Sequence, residues 1–159
     1  MISLGIDPGT ATTGYGVVKS ENNSFSCLDY GVITTDKTLP PSRRLFSLSR
    51  EILSLIKEYS PSVVGIESLY FFKNLKTVIP VSQAKGVIMV MVEGENIPLY
   101  EFTPLEVKMS ITGYGRADKN QIQEMTRIIL NLKEKPHPDD AADGLAIAIC
   151  GLNKITSPF

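Results

Sequence analysis

Cysteine and histidine are scarce in this sequence. Cys27 and Cys150 are the two cysteines, they lie far apart without CxxC spacing, and His137 is the single histidine. This excludes a disulfide framework and a Cys/His zinc site, and it fits a reducing cytoplasm. Long apolar runs are also missing. The most apolar stretch, residues 86–92, is far too short to cross a bilayer. The chain does not start with a basic segment followed by a long apolar one, so neither a signal peptide nor a membrane partner is expected. No sign of charge dominates: 16 Lys and Arg face 17 Asp and Glu, a net charge of −1. No global positive field advertises nucleic acid, and any such binding must come from local patches. No repeat, low-complexity stretch or Walker-type phosphate loop is present.

What remains is ordinary globular composition. With 43% hydrophobic and 21% charged residues, the 159 residues suit a single domain with one sizeable core. The chain begins with the stretch that organises the rest. Ile2, Leu4 and Ile6 predict a short buried strand, and Asp7 stands where the apolar pattern stops. Pro8-Gly9 then forces a tight turn, and Tyr15, Val17 and Val18 resume a strand pattern that predicts an antiparallel partner. An Asp before Pro-Gly is explained by turn chemistry alone, unless further carboxylates converge on it. Asn22-Asn23 marks the next turn, and Phe25, Cys27 and residues 30–34 complete a three-stranded meander.

Ser42 is read as the N-cap of a helix reaching Tyr59, with Leu45, Leu48, Ile52, Leu55 and Ile56 on one face. Residues 63–66 are too few for a helix and predict a buried strand ending in Glu67. A strand after a helix implies a crossover and parallel pairing beside the first strand. Tyr70, Phe71 and Phe72 follow, with Lys73 and Lys76 close behind. Aromatic faces beside ammonium groups suit stacking on bases near phosphates; a buried aromatic cluster or a dimer contact explains them equally well.

Residues 81–93 predict a helix that is apolar almost all round, buried on the sheet and against a partner subunit. Residues 97–102 predict a fifth strand, and Thr103 caps a short helix carrying Lys108. Residues 111–117 form a loop with Arg116. Asp118 and Gln121 have capping-box spacing and start a helix to about Leu132, with Ile122, Met125, Ile128, Ile129 and Leu132 on its apolar face. Lys119 sits in its first turn, where a cation opposes the helix dipole. The last helix is expected from Pro138 to Gly151, with Asp140 and Asp143 one turn apart. Acids at a helix start complement the dipole, which is the plain explanation for Asp139. Asp143 lies deeper in a helix built of small and apolar residues, where an unpaired charge is costly.

Two acids at the tips of adjacent strands and two more on a packed helix would form one carboxylate cluster. Such a cluster needs positive charge. Oxygen-only ligands favour Mg²⁺, with Mn²⁺ as substitute. Two ions about 3.5–4 Å apart would stabilise the attacking and leaving oxygens of a phosphodiester.

The motifs Leu4-Gly5-Ile6-Asp7-Pro8-Gly9-Thr10, Thr13-Gly14-Tyr15-Gly16-Val17, Gly65-Ile66-Glu67, Ser82-Gln83-Ala84-Lys85-Gly86, Gly113-Tyr114-Gly115-Arg116-Ala117-Asp118-Lys119 and Asp140-Ala141-Ala142-Asp143-Gly144-Leu145-Ala146 stand in an order and spacing that resemble RuvC-type Holliday junction resolvases. The resemblance covers nearly the whole chain. It implies an α/β, ribonuclease H-like fold, a mixed five-stranded sheet of order 3-2-1-4-5 flanked by helices. It implies a cytoplasmic homodimer that makes paired nicks in four-way DNA junctions with Mg²⁺, partnered by the RuvA and RuvB branch-migration proteins. The family's acidic tetrad falls on Asp7, Glu67, Asp140 and Asp143, with Asp139 a neighbouring alternative to Asp140. Its stacking aromatic falls on Tyr70, with Phe71 and Phe72 beside it, and its basic residues near the scissile phosphate fall on Lys108 and Lys119. Lys73, Lys76 and Arg116 are further candidate DNA contacts. Two alternatives stay open here: a nuclease of the same fold acting on another nucleic-acid structure, and a non-catalytic junction binder. An actin-like ATPase shares an Asp-x-Gly-Thr turn, but 159 residues leave little room for its two domains.

Overall fold

The computed structural model describes residues 1–9, 11–68 and 75–156, with backbone alone at 75–77. Its sheet has the order β3-β2-β1-β4-β5, the ribonuclease H-like arrangement the resemblance implies. Strands β1 (Ile2–Asp7), β2 (Thr12–Glu21) and β3 (Ser24–Thr34) form the antiparallel meander. Helix α1 (Pro41–Tyr59) crosses to β4 (Val63–Glu67), which runs parallel to β1 with Ile6 opposite Ile66. Helix α2 (Leu75–Gly94) leads to β5 (Leu99–Phe102), parallel to β4. Helices α3 (Pro104–Thr112), α4 (Lys119–Ile129) and α5 (Asp139–Thr156) complete the chain.

The alternation of side chains along β1 sorts the core into two layers. Leu4 and Ile6 point to one face and pack with Leu48, Ile52, Ile56, Ala84, Ile88 and Val92 of α1 and α2. Ser3 and Gly5 point to the other, where α5 lies. Leu145, Ile147, Ile149 and Leu152 of α5 are fully buried, and each such side chain contributes about 1.5–3 kcal/mol.

Helix α5 approaches the sheet unusually closely because both sides lack side chains where they meet. A Cβ on Gly5 would lie 2.1 Å from the Gly144 carbonyl oxygen and 2.2 Å from the Ala148 nitrogen. A Cβ on Gly16 would lie 2.4 Å from the Leu145 nitrogen. This contact brings the first turn of α5 beside the tip of β1. Backbone cannot yield as a flexible side chain can, so Gly5→Ala is expected to cost about 3 kcal/mol or more, at the upper end of overpacking effects. Urea unfolding of the variant measures this; a loss below about 1 kcal/mol would mean that α5 is free to retreat.

Several predicted boundaries move. Pro40, not Ser42, is the N-cap of α1, and Pro41 takes the first helical position, where its missing N–H costs nothing. Helix α2 starts at Leu75 rather than 81 and runs through Pro80. It is not buried on most sides within this chain: Ala84, Ile88 and Val92 face the sheet, while Ile79 and Val90 are exposed. Strand β5 begins at Leu99, after Pro98, whose carbonyl accepts from the Val64 N–H. Ile111 and Thr112 are helical rather than looped, and Gly113 caps α3 at φ 69°. Helix α4 ends at Ile129, where Leu130 caps it and Asn131 turns the chain with φ 51°. Ile128 is exposed rather than on the buried face, which recruits Gln123 and Thr126 instead. Gly151 does not end α5; it lies inside the helix, at a close approach to β1 where a Cβ would meet Ser3 Oγ at 2.6 Å. The Asp118–Gln121 capping box forms as expected, and Thr103 caps α3 as expected, there too through a full capping box, with Glu106.

Candidate active site

Asp7 closes β1 and Glu67 closes the adjacent parallel strand β4, so both carboxyl groups leave the sheet at the same end. The close packing of α5 delivers Asp140 and Asp143 to that end. One carboxylate oxygen from each of Asp7, Asp140 and Asp143 lies within 4.8 Å of the others. Glu67 joins through a hydrogen bond shared with Asp7. Thr12 Oγ1 donates to Asp140 Oδ2 at 2.9 Å and fixes that carboxylate from the start of β2.

The electrostatics are those of crowded acids. Burial, then the charges of Glu67, Asp143 and Asp140, push the Asp7 carboxyl from its ordinary 3.8 up to about 8. Burial and Asp143 raise Glu67 as well, and burial raises Asp143 although Lys119 opposes that shift. Free acids this close hold protons because they cannot all ionise together. A hard divalent cation removes that conflict, and three convergent carboxylate oxygens are the donor set it prefers. The residues present therefore fit such an ion.

Two lysines stand beside the acids. Lys119 Nζ lies 3.3 Å from Asp143 Oδ2 and 3.3 Å from Asp139 Oδ2. Lys108 and Lys119 line a cavity of about 200 Å³ with Glu67 and Asp143. A hollow lined by acids and ammonium groups together can seat a phosphate against bound cations.

The structure thus brings together Asp7, Glu67, Asp140, Asp143, Lys119 and Lys108. Asp139 is not one of the three clustered acids: its Oδ1 accepts from Gln123 Nε2 at 2.9 Å, and hydrogen bonds from Gln123 and Lys119 hold its carboxyl below the usual range. Of the two neighbours, Asp140 is the one whose carboxylate oxygen lies among those of Asp7 and Asp143. His137 is exposed before α5. Arg116 is exposed between α3 and α4, outside the cavity lining. Tyr70, Phe71, Phe72 and Lys73 lie outside the described residues, as does the side chain of Lys76.

Three contributors were not visible in sequence. Thr12 and Gln123 act through partners far along the chain. Lys85 of α2, its side chain 13% exposed, reaches Glu101 Oε2 on β5 at 2.5 Å and adds positive charge near Glu67. Its available signals were a cation in a largely apolar helix and its place in the motif Ser82-Gln83-Ala84-Lys85-Gly86.

The family model for crossover junction endodeoxyribonuclease RuvC matches residues 3–151. A crossover junction endodeoxyribonuclease RuvC from Thermosipho melanesiensis is 52% identical over 147 residues, covering 92% of this chain and 94% of its own. The Thermus thermophilus RuvC structure superposes with a TM-score of 0.92 at 31% identity, covering 98% of this chain and 96% of that one. T. thermophilus RuvC in complex with Holliday junction substrate gives 0.90 at 28% identity, covering 99% and 97%. Fold, acidic cluster and likeness over almost the full length agree: this chain belongs to the RuvC family of crossover junction endodeoxyribonucleases.

Proposed function

We propose that the protein is a structure-selective endonuclease that resolves four-way DNA junctions by paired, symmetric nicks during recombination and repair. The carrying observation is the convergence of Asp7, Asp140 and Asp143 within 4.8 Å beside two lysines. Asp7, Glu67, Asp140 and Asp143 would hold Mg²⁺, in a pair of ions or with Mn²⁺ instead. Divalent ions so held supply Lewis acidity toward the phosphodiester and its attacking water. The protein's own part is to gather the carboxylates, exclude competing cations by charge and shape, and orient the phosphate. Lys119 and Lys108 offset the negative charge that grows on the phosphate oxygens. Tyr70, with Phe71 and Phe72, would stack on bases opened at the junction, and Lys73, Lys76 and Arg116 would touch backbone phosphates.

One sheet with helices on both faces spans the described residues, which supports reading the chain as a single nuclease domain. No described helix is long and apolar enough to cross a membrane. Work on chromosomal junctions in the cytoplasm, after branch migration by RuvA and RuvB, follows from the family reading.

Paired nicks require two active sites. Helix α2 offers the surface for a second copy: Met89 and Val90 are exposed and line an apolar hollow with Glu93, Gly94 and Leu99. Exposed apolar faces of this kind mark association surfaces. Val90→Asp is expected to shift the protein from dimer to monomer in analytical ultracentrifugation while leaving its circular dichroism intact. An unchanged dimer would place the interface elsewhere.

The function itself is tested by offering four-way junctions, linear duplex and RNA–DNA hybrid, each with Mg²⁺, Mn²⁺ or chelator. Two symmetric nicks in the junction, dependent on the divalent ion, are expected. Equal or faster cleavage of the hybrid would assign the site to another nucleic acid.

A further inference from the structure

Among the described residues, the ammonium of Lys119 is shared between two carboxylates with different duties. Asp143 belongs to the acidic cluster. Asp139 does not: its Oδ1 is taken by Gln123 Nε2 at 2.9 Å and its Oδ2 faces Lys119 at 3.3 Å. Gln123 is 8% exposed, a buried amide on α4 whose donor goes to Asp139. Buried amides need partners, so this bond orients the Asp139 carboxylate as well as holding it. A cation entering the cluster competes with Lys119 for Asp143 and repels its charge. Without a second anchor, the freed ammonium would swing into solvent on its flexible stem.

We propose that Asp139, braced by Gln123, is a positioning residue that tethers the Lys119 ammonium beside the acidic cluster and keeps it there when a divalent cation takes over Asp143. The tether makes Lys119 a placeholder for positive charge in the metal-free protein and a pre-placed phosphate ligand in the loaded one. Pre-placement removes the cost of ordering a long side chain during the reaction. Isolated surface ion pairs contribute little; this one differs because a buried side chain fixes one partner. The inference rests on reading Asp143 as a cation ligand and Lys119 as facing phosphate.

The test is a cycle of parent, Asp139→Asn, Lys119→Met and the double variant, each checked for unchanged melting temperature. Single-turnover junction cleavage with saturating protein and Mg²⁺ gives the rate; junction affinity is measured separately in Ca²⁺. Asp139→Asn is expected to slow cleavage about tenfold while changing affinity less than about threefold. On the Lys119→Met background the same change is expected to alter the rate less than about twofold, because its effect runs through the missing ammonium. Asp139→Glu is expected to restore at least about a third of the parental rate, since the carboxylate returns. A second readout needs no cleavage. The Lys119 ammonium proton–nitrogen NMR signal is expected to persist in the Mg²⁺-loaded parent and to vanish in Mg²⁺-loaded Asp139→Asn. Equal slowing on both backgrounds, or a signal that survives in loaded Asp139→Asn, would overturn the tether. A parent that cuts no junction would instead sink the proposed function, and the NMR comparison would still decide the tether.

Discussion

Asp7→Asn is expected to abolish junction cleavage, by about 10³-fold or more, while leaving junction binding equal or tighter. Asn keeps the shape of Asp and the fit at the tip of β1, so the sheet is not disturbed. It removes the carboxylate on which the cluster centres: Asp7 shares a hydrogen bond with Glu67 and lies within 4.8 Å of Asp140 and Asp143 oxygens. Without its anionic oxygen the remaining acids hold divalent ions poorly, and catalysis fails before binding does. Binding is expected to be kept, because Lys108 and Lys119, the proposed phosphate contacts, are untouched and the variant adds no negative charge. Cleavage of labelled junction by the purified variant, with gel-shift affinity in Ca²⁺, separates the two effects. Substantial cleavage by Asp7→Asn would remove Asp7 from the chemistry. Loss of binding together with cleavage would mean that the substitution damages the fold rather than the site.

The residues on which that expectation depends were readable because each marks a place where a pattern stops. Asp7 and Glu67 follow runs of buried apolar residues, so strand ends could be assigned and parallel pairing inferred. Asp143 stood out because nearly all its helix neighbours are small or apolar. The choice between Asp139 and Asp140 is harder from sequence, since adjacent helix positions differ by about 100° in direction. Only packing on the sheet settles that rotation, through the contact of Gly14 and Gly16 with the first turns of α5. The glycines of β1 and β2 are unremarkable as letters in a strand, and Gly151 looks like a helix end until Ser3 is placed against it. Lys85 and Gln123 were missed for the same reason: their partners, Glu101 and Asp139, come from other elements. Local patterns carry the strands, the caps and the acids; contacts between distant segments carry the orientation of those acids and the lysines that serve them.

The second large effect concerns the metal-free protein, whose stability is expected to fall as pH rises from 5 to 8. In the unfolded chain Asp7 ionises near its ordinary 3.8, whereas in the fold it keeps its proton to about 8. Between those values the folded state binds more protons than the unfolded one, so every rise in pH favours unfolding. Glu67 and Asp143 are raised too and act in the same direction. The Asp7 contribution is complete below about pH 4 and lost as the pH rises through about 8, a change on the order of a few kcal/mol. Asp7→Asn should flatten the pH profile and make the metal-free protein more stable than its parent at pH 8. The same oxygens that hold protons would hold the divalent ion, so ion and proton compete. Added Mg²⁺ or Mn²⁺ should therefore raise the melting temperature more at pH 8 than at pH 6, with about 2.7 kcal/mol gained at a hundred times the dissociation constant. Melting curves at several pH values, with chelator and with Mg²⁺, test both halves. A flat profile in chelator would mean that the acids are not crowded enough to share protons. An ion effect that survives Asp7→Asn undiminished would mean that the cation binds somewhere other than between β1 and α5.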